Sequence, residues 1–155
     1  MEENYKVENG AGIIPEGVTS IGTSAFYECK SLTSVIIPES ITSIGNYAFC
    51  ECRSLTNINI PEGVISIGDC AFAWCDLLTN IVIPEGVVSI GDGAFCWCAS
   101  LKEVVIPEGI TSIGNDVFAG CINLERIYVP KEFVDYYKSM DSLKEYVDKI
   151  FAYEE

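Results

Sequence analysis

The chain repeats itself every 23 residues. A proline opens each unit, at Pro15, Pro38, Pro61, Pro84, Pro107 and Pro130. Five near-copies lie between these prolines, and residues 61–83 read PEGVISIGDCAFAWCDLLTNIVI. A fixed period of this length is typical of a solenoid, in which each unit buries its apolar face only against its neighbours.

Apolar residues hold constant positions when the unit is counted from its proline. Position 7 is always isoleucine, position 12 phenylalanine, position 15 cysteine and position 18 leucine, while positions 21 and 23 are valine or isoleucine. Identical apolar residues in stacked units form ladders, so we predict that these positions make the core. The cysteines of position 15 are expected to pack there as small hydrophobic residues. They are Cys29, Cys52, Cys75, Cys98 and Cys121.

Three segments of the unit carry structural signals. The pattern L-x-x-[VI]-x-[VI] at positions 18–23 predicts a short strand that the next proline ends. Successive strands are expected to pair in parallel, about 4.8 Å apart. The pattern V-x-x-I-G predicts a shorter extended stretch whose glycine supplies a positive φ or a close turn. The pattern A-F-x-x-C predicts a helical turn that points Phe and Cys inward.

The two ends depart from the repeat, so we divide the chain into three parts. Residues 1–14 form a weak N-terminal cap, because Gly12 stands where a core residue is expected; either this is a degenerate strand or the native array continues upstream. Residues 15–129 are the five repeats. Residues 130–155 show helical spacing and predict two short amphipathic helices that cover the core. The first contains Phe133, Val134 and Tyr137, and the second Leu143, Tyr146, Val147 and Ile150. The predicted fold is an α+β repeat solenoid with a parallel β-ladder and a C-terminal helical cap.

The unit P-E-G-V-T-S-I-G-x-x-A-F-x-x-C-x-x-L-T-x-I-x-I resembles the BspA-like class of leucine-rich repeats. The resemblance covers residues 14–129, and the ending from Val129 to Ile150 is also similar to the way such arrays close. It implies a leucine-rich-repeat array that acts as a protein-interaction module, in adhesion or host-protein binding at a cell surface or in secreted form. It implies no fixed ligand-binding residue.

Composition excludes several classes of function. The formal net charge of −14 disfavours nucleic acid and anionic membranes, whose phosphates require Lys and Arg. The sequence has no run of 18 apolar residues, so no membrane insertion is expected. It has no histidine and no phosphate-cradling glycine loop, so we expect neither an enzyme nor a cofactor. The N-terminal residues do not read as an export signal, which makes the cytoplasm the alternative location.

The outward-facing strand positions are the first candidate site. A strand face of mixed polar and apolar residues could hold an extended protein ligand, although Val and Ile there also simply favour strand geometry. Position 20 carries Ser34, Asn57, Asn80, Glu103 and Arg126, and position 22 carries Ile36, Asn59, Val82, Val105 and Tyr128.

Three further features have both a functional and a structural interpretation. Trp74 and Trp97 share position 14 and form an aromatic pair that either anchors a partner or covers the phenylalanine ladder. The glutamates of position 2 (Glu16, Glu39, Glu62, Glu85 and Glu108) are a weak calcium signal, and a solvated turn is favoured, so no metal site is predicted. Cys50, Cys70 and Cys96 lack zinc-site spacing, and mostly free thiols are expected.

The sequence thus predicts a non-enzymatic protein-interaction module. Two alternatives stay open. One is an intracellular protein-binding scaffold, favoured by free cysteines. The other is an array whose N-terminal end stacks on another copy, which would give end-to-end self-association.

Overall fold

A computed structural model describes residues 5–153 and shows each repeat as one coil of a solenoid. We number the coils by their opening prolines, so that the first coil begins at Pro15 and the fifth at Pro107. Within residues 5–153, twelve short strands lie in three sheets. They are β1 (Lys6–Glu8), β2 (Ala11–Ile13), β3 (Ser20–Ile21), β4 (Ser34–Ile36), β5 (Ser43–Ile44), β6 (Ser66–Ile67), β7 (Asn80–Val82), β8 (Ser89–Ile90), β9 (Glu103–Val105), β10 (Ser112–Ile113), β11 (Arg126–Val129) and β12 (Ile150–Ala152).

The predicted parallel ladder is present but interrupted. β2 pairs with β4, and β7, β9, β11 and β12 pair in that order, each in a register of 23 residues. In the second coil, Asn57–Asn59 form no strand, so the prediction of one strand in every repeat is wrong at that point. The two outward residues there are asparagines, which are depleted from strands because their amides compete with the backbone for hydrogen bonds. Ile58 between them remains buried.

The second extended stretch is confirmed as a five-stranded parallel sheet. β3, β5, β6, β8 and β10 pair in sequence order, each contributing one serine and one isoleucine. Every isoleucine of this sheet is buried. The coil therefore has two sides built from paired strands, and both face one apolar core.

The A-F-x-x-C segment is not the predicted helical turn. Residues at positions 10 and 14 have a positive φ, as in Cys70 (53°) and Trp74 (61°). Alternate backbone N–H groups point to the next coil instead of into a helix, and the Phe49 N–H donates to the Ala71 carbonyl at 2.7 Å. These N–H groups thus donate to carbonyls of the neighbouring coil, whereas in a helix they would donate to carbonyls of their own segment. The phenylalanines nevertheless point inward, as predicted.

The core is built from ladders. The phenylalanine rings of position 12 stack along the axis, with centroids 5.2 Å apart between Phe49 and Phe72. The cysteines of position 15 lie behind them, and the Cys75 thiol donates to the Phe49 carbonyl at 3.3 Å. Cys52, Cys98 and Cys121 repeat this bond one coil apart. The prediction that these cysteines belong to the core is confirmed for Cys52, Cys75, Cys98 and Cys121, whereas Cys29 in the first coil is only half-buried and packs against the core.

The glycines of position 8 are required by close packing and not by a positive φ. A Cβ on Gly91 would lie 2.5 Å from the Asp69 backbone nitrogen and 2.4 Å from its side-chain oxygen. That oxygen accepts the Asp92 N–H at 2.8 Å, which holds the two coils together. Gly22 has no preceding repeat, and nothing lies within 4 Å of the place its Cβ would take.

The N-terminal end is closed by a hairpin. β1 pairs antiparallel with β2, and the Tyr5 ring stacks on Phe26 at 5.5 Å. Gly12 is buried in β2, where a Cβ would lie 2.8 Å from Leu32 and 3.1 Å from Phe26. Leu32 and Phe26 therefore fill the space that a core side chain would occupy at this place in the repeat.

The C-terminal segment contains helices and then returns to the ladder. A 3-10 helix (Lys131–Phe133) leads into α1 (Val134–Lys138), and a second 3-10 helix (Asp141–Lys149) follows. Tyr137 and Leu143 are buried, and the Tyr136 hydroxyl donates to the Ile110 carbonyl of the fifth coil at 2.9 Å. Ile150, predicted as helical, instead begins β12, which pairs in parallel with β11. The last segment becomes a strand because its main chain pairs with the edge of β11.

Candidate functional site

The most distinctive surface is a column of side chains on the outside of the parallel ladder. We call it the outer column, and it takes one residue from each successive turn of the chain, 23 residues apart. Its members are Ile13, Ile36, Asn59, Val82, Val105, Tyr128 and Phe151. Ile36 is 85% exposed, Val82 56% and Phe151 46%. Exposed apolar side chains aligned in this way are characteristic of interaction surfaces.

A polar column runs beside the outer column. It contains the five predicted residues of position 20, all exposed, and changes from neutral to charged along the ladder. At its C-terminal end the Arg126 guanidinium donates to the Tyr128 hydroxyl at 3.0 Å and lies 5.7 Å from the centre of the Phe151 ring. Glu103 is the direct strand neighbour of Arg126. This end of the face therefore presents a cation and two aromatic rings that are already held in place.

All ten predicted strand-face residues lie on this one face. Asn57 and Asn59 sit where the ladder is interrupted, and Val105 and Tyr128 are half-buried. Sequence reasoning missed Ile13 and Phe151, which extend the outer column at both ends. Their spacing was the available signal, because Phe151 follows Tyr128 by the same 23 residues although the intervening segment has lost the repeat. The binding role of the ten predicted residues stays a prediction.

The glutamates of position 2 border the same face. All five are exposed, and among residues 5–153 no ion pair involves them. Within that part of the chain no group of three or more metal-ligating side chains is placed to hold an ion. The glutamates therefore give one edge of the face a negative field.

Trp74 and Trp97 stack on each other, away from the outer column. Their rings are 5.1 Å apart and 8° from parallel. The Arg53 guanidinium lies 5.1 Å from the Trp74 ring, and the backbone at Gly120 approaches Trp97 so closely that a Cβ there would be 2.3 Å from its ring. Trp97 is 47% exposed. The pair is held at both ends, and its use as an anchor for a partner stays a prediction.

The cysteines divide into two groups. All eight lie in the described part of the chain, where each is a free thiol. Burial raises the pKa of Cys52 to about 12 and that of Cys75 well above its usual range. Cys70 and Cys96, outside the ladder, are only half-buried.

Comparison with known proteins identifies the family. The model of the BspA type leucine-rich repeat region matches residues 13–144 in six copies. The chain therefore belongs to the BspA-type leucine-rich repeat family, and membership implies a protein-interaction module. The six copies extend beyond the five repeats that we counted, into the segment before β12. A comparison with curated proteins found no match.

Solved bacterial structures are similar in fold, and those from T. pallidum and Bacteroides ovatus are also similar in sequence. A leucine-rich repeat protein of T. pallidum is 36% identical with a TM-score of 0.74, over 77% of this chain and 58% of that one. One from Bacteroides ovatus is 42% identical with a TM-score of 0.71, over 76% of this chain and 30% of that one. The pneumococcal vaccine antigen PcpA shares the fold at 18% identity, with a TM-score of 0.73, over 94% of this chain and 42% of its own.

The chain thus spans between about a third and three fifths of the length of these relatives. In residues 5–153 no helix has the length and apolar character needed to cross a bilayer.

Proposed function

We propose that this protein is a non-enzymatic adhesion module that binds an extended segment of a partner protein along its outer column, at a cell surface or in secreted form. The outer column is the observation that carries the proposal. It places exposed Ile36 and Val82 on the same face, two coils apart, and neighbouring paired strands set the side chains of the column about 4.8 Å apart. That spacing suits a partner chain that crosses the strands and contacts one coil after another.

Charge supports a partner with basic side chains. The protein carries −14, and the glutamates border the outer column on one edge. Such a field speeds the encounter with a cationic partner and opposes an acidic one. Arg126 is the exception, and it is placed to pair with a carboxylate at the C-terminal end of the face. The partner we expect is therefore a protein segment with apolar and basic residues.

The family and its solved relatives support the location. The matched structures are bacterial leucine-rich repeat proteins, and one fold neighbour is a vaccine antigen. The free thiols favour the alternative, an intracellular protein-binding scaffold. Protease treatment of intact source cells separates the two. Loss of the chain places it outside, whereas protection places it inside and overturns the adhesion role.

Binding is tested with a double variant of the outer column. Ile36→Glu with Val82→Glu puts two charges into the apolar column. Surface plasmon resonance on a purified panel of extracellular-matrix proteins measures the effect on binding. We expect the affinity to fall at least about tenfold, because two apolar contacts buried by the partner would be lost. The matched control is Ile65→Glu with Val88→Glu, because both residues are exposed beside the serine–isoleucine sheet. An equal loss in both variants, or no binding by the wild type to matrix proteins or intact cells, would contradict the proposal.

A further inference from the structure

Two half-buried thiols from neighbouring coils meet on the turn side of the solenoid. Cys70 belongs to the third coil and Cys96 to the fourth. The Cys70 N–H donates to the Asp92 carbonyl at 2.9 Å, and the Cys96 carbonyl accepts the Trp74 N–H at 2.9 Å. The two coils are therefore hydrogen-bonded on both sides of the thiols, which fixes the distance between them.

Gly93 leaves the space between the two sulfurs open. A Cβ on Gly93 would lie 3.3 Å from the Cys70 sulfur and 3.3 Å from the Cys96 sulfur. The two sulfurs therefore face one point, and their separation cannot exceed twice that distance. The other coils carry a side chain at this position, namely Ser24, Tyr47, Cys70 and Asp116. The fourth coil alone has glycine there, and it is the coil that supplies the facing thiol.

The remaining cysteines are less suited to bridging. Cys52, Cys75 and Cys98 are fully buried, and each thiol already donates to a carbonyl of the preceding coil. Cys50 is 5% exposed as a residue, whereas Cys70 and Cys96 are half-buried, so it is less open to an oxidant. Cys70 and Cys96 combine a short approach with access to solvent.

We propose that Cys70 and Cys96 form a disulfide that links the third coil to the fourth when the protein meets a small-molecule disulfide such as oxidised glutathione. One protein thiolate attacks a glutathione sulfur and releases the first glutathione thiolate. The second protein thiolate then attacks the protein sulfur of the mixed disulfide and releases the other glutathione. The two protein thiols lose two electrons and two protons, and one oxidised glutathione becomes two reduced molecules.

The disulfide would reinforce a junction that the tryptophans already hold. Trp74 and Trp97 stack across the same two coils. Closing the loop between residues 70 and 96 restricts the unfolded chain and stabilises the fold. Burial raises the pKa of Cys96 to about 11, so its thiolate is scarce at neutral pH and exchange is expected to be slow there.

The test uses the full chain equilibrated with oxidised glutathione at mildly alkaline pH. Free thiols are alkylated during denaturation, and the protein is cleaved before aspartate residues without reduction. This cleavage puts Cys70 in residues 69–75 and Cys96 in residues 92–115, and fragmentation spectra separate them from Cys75 and Cys98. We expect these two peptides joined through Cys70 and Cys96, and a higher melting temperature than for the reduced protein.

Three variants serve as controls. Cys70→Ser should abolish both the joined peptides and the rise in melting temperature, whereas Cys50→Ser should leave both unchanged. Gly93→Ala places a methyl group between the sulfurs and should slow formation of the bond; the backbone tolerates it, because other residues adopt the same φ at this position. Free Cys70 and Cys96 after equilibration, or a bond from Cys70 to Cys50, would overturn the proposal.

Discussion

At the scale of single residues, the repeat assigns one physical task to each position. The position-12 phenylalanines stack at 5.2 Å where the coils are regular, and the position-15 thiols of the second to fifth coils donate to carbonyls of the coil before them. The role of the position-8 glycine differs from the one predicted from the sequence. Gly91 is needed because the preceding coil occupies the space of a side chain, not because its φ is positive.

This explanation of the glycines predicts different results for the same substitution in two coils. Gly91→Ala should lower the free energy of unfolding by about 1–3 kcal/mol, because the new methyl group meets the backbone of Asp69. Gly22→Ala is the matched control and should change stability little, since no coil precedes it. Urea denaturation of both variants measures the difference. Equal effects would show that backbone freedom, and not packing, selects glycine here.

At the scale of elements, the main departure from regularity is the second coil. Its outward strand residues are both asparagine, and the parallel sheet divides there into two. β12 shows the opposite behaviour: a segment without the repeat motif completes the ladder in register with β11. Pairing with a neighbour therefore decides whether a marginal segment becomes a strand.

We expect that two substitutions can close the gap in the sheet. Asn57→Thr with Asn59→Val gives the second coil strand-forming residues, and the free energy of unfolding should rise by up to about 1 kcal/mol. Hydrogen exchange of the backbone amides of residues 57–60 should slow at the same time. Asn80→Thr, at the same position in β7, already lies in a paired strand and should gain less. Unchanged exchange in the double variant would mean that coil geometry, not asparagine, breaks the ladder.

At the scale of the whole molecule, the negative charges are arranged in a way that lowers the stability of the fold. The glutamates of position 2 recur in every coil and lie about 5 Å apart if they follow the strand spacing. Like charges at that distance repel each other, and the apolar core must outweigh the repulsion. These glutamates also form the negative edge of the outer column. A feature that lowers the stability of the fold therefore supports the proposed binding.

Salt should therefore stabilise this protein. Raising the ionic strength from about 0.01 M to 0.5 M shortens the range of the repulsion and should raise the melting temperature. Glu62→Gln with Glu85→Gln should raise the melting temperature at low salt and reduce its dependence on salt. Glu145→Gln with Asp148→Asn removes the same charge from the second 3-10 helix and should have a smaller effect. Thermal unfolding monitored by circular dichroism provides the measurement, and equal effects of the two pairs would assign the repulsion to net charge alone.

The repeat pattern was enough to predict the period, the inward ladders, the two extended sides of the coil and the face that carries the outer column. It could do so because each of these depends on residues that recur at one position and meet their own copies in the next coil. The three-dimensional arrangement was needed to reveal the positive-φ turns at positions 10 and 14, the gap at Asn57–Asn59, the strand β12 and the approach of Cys70 to Cys96. These depend on how one coil sits on the next, since contacts between unlike positions are set by backbone direction and side-chain orientation, which the repeat pattern does not record.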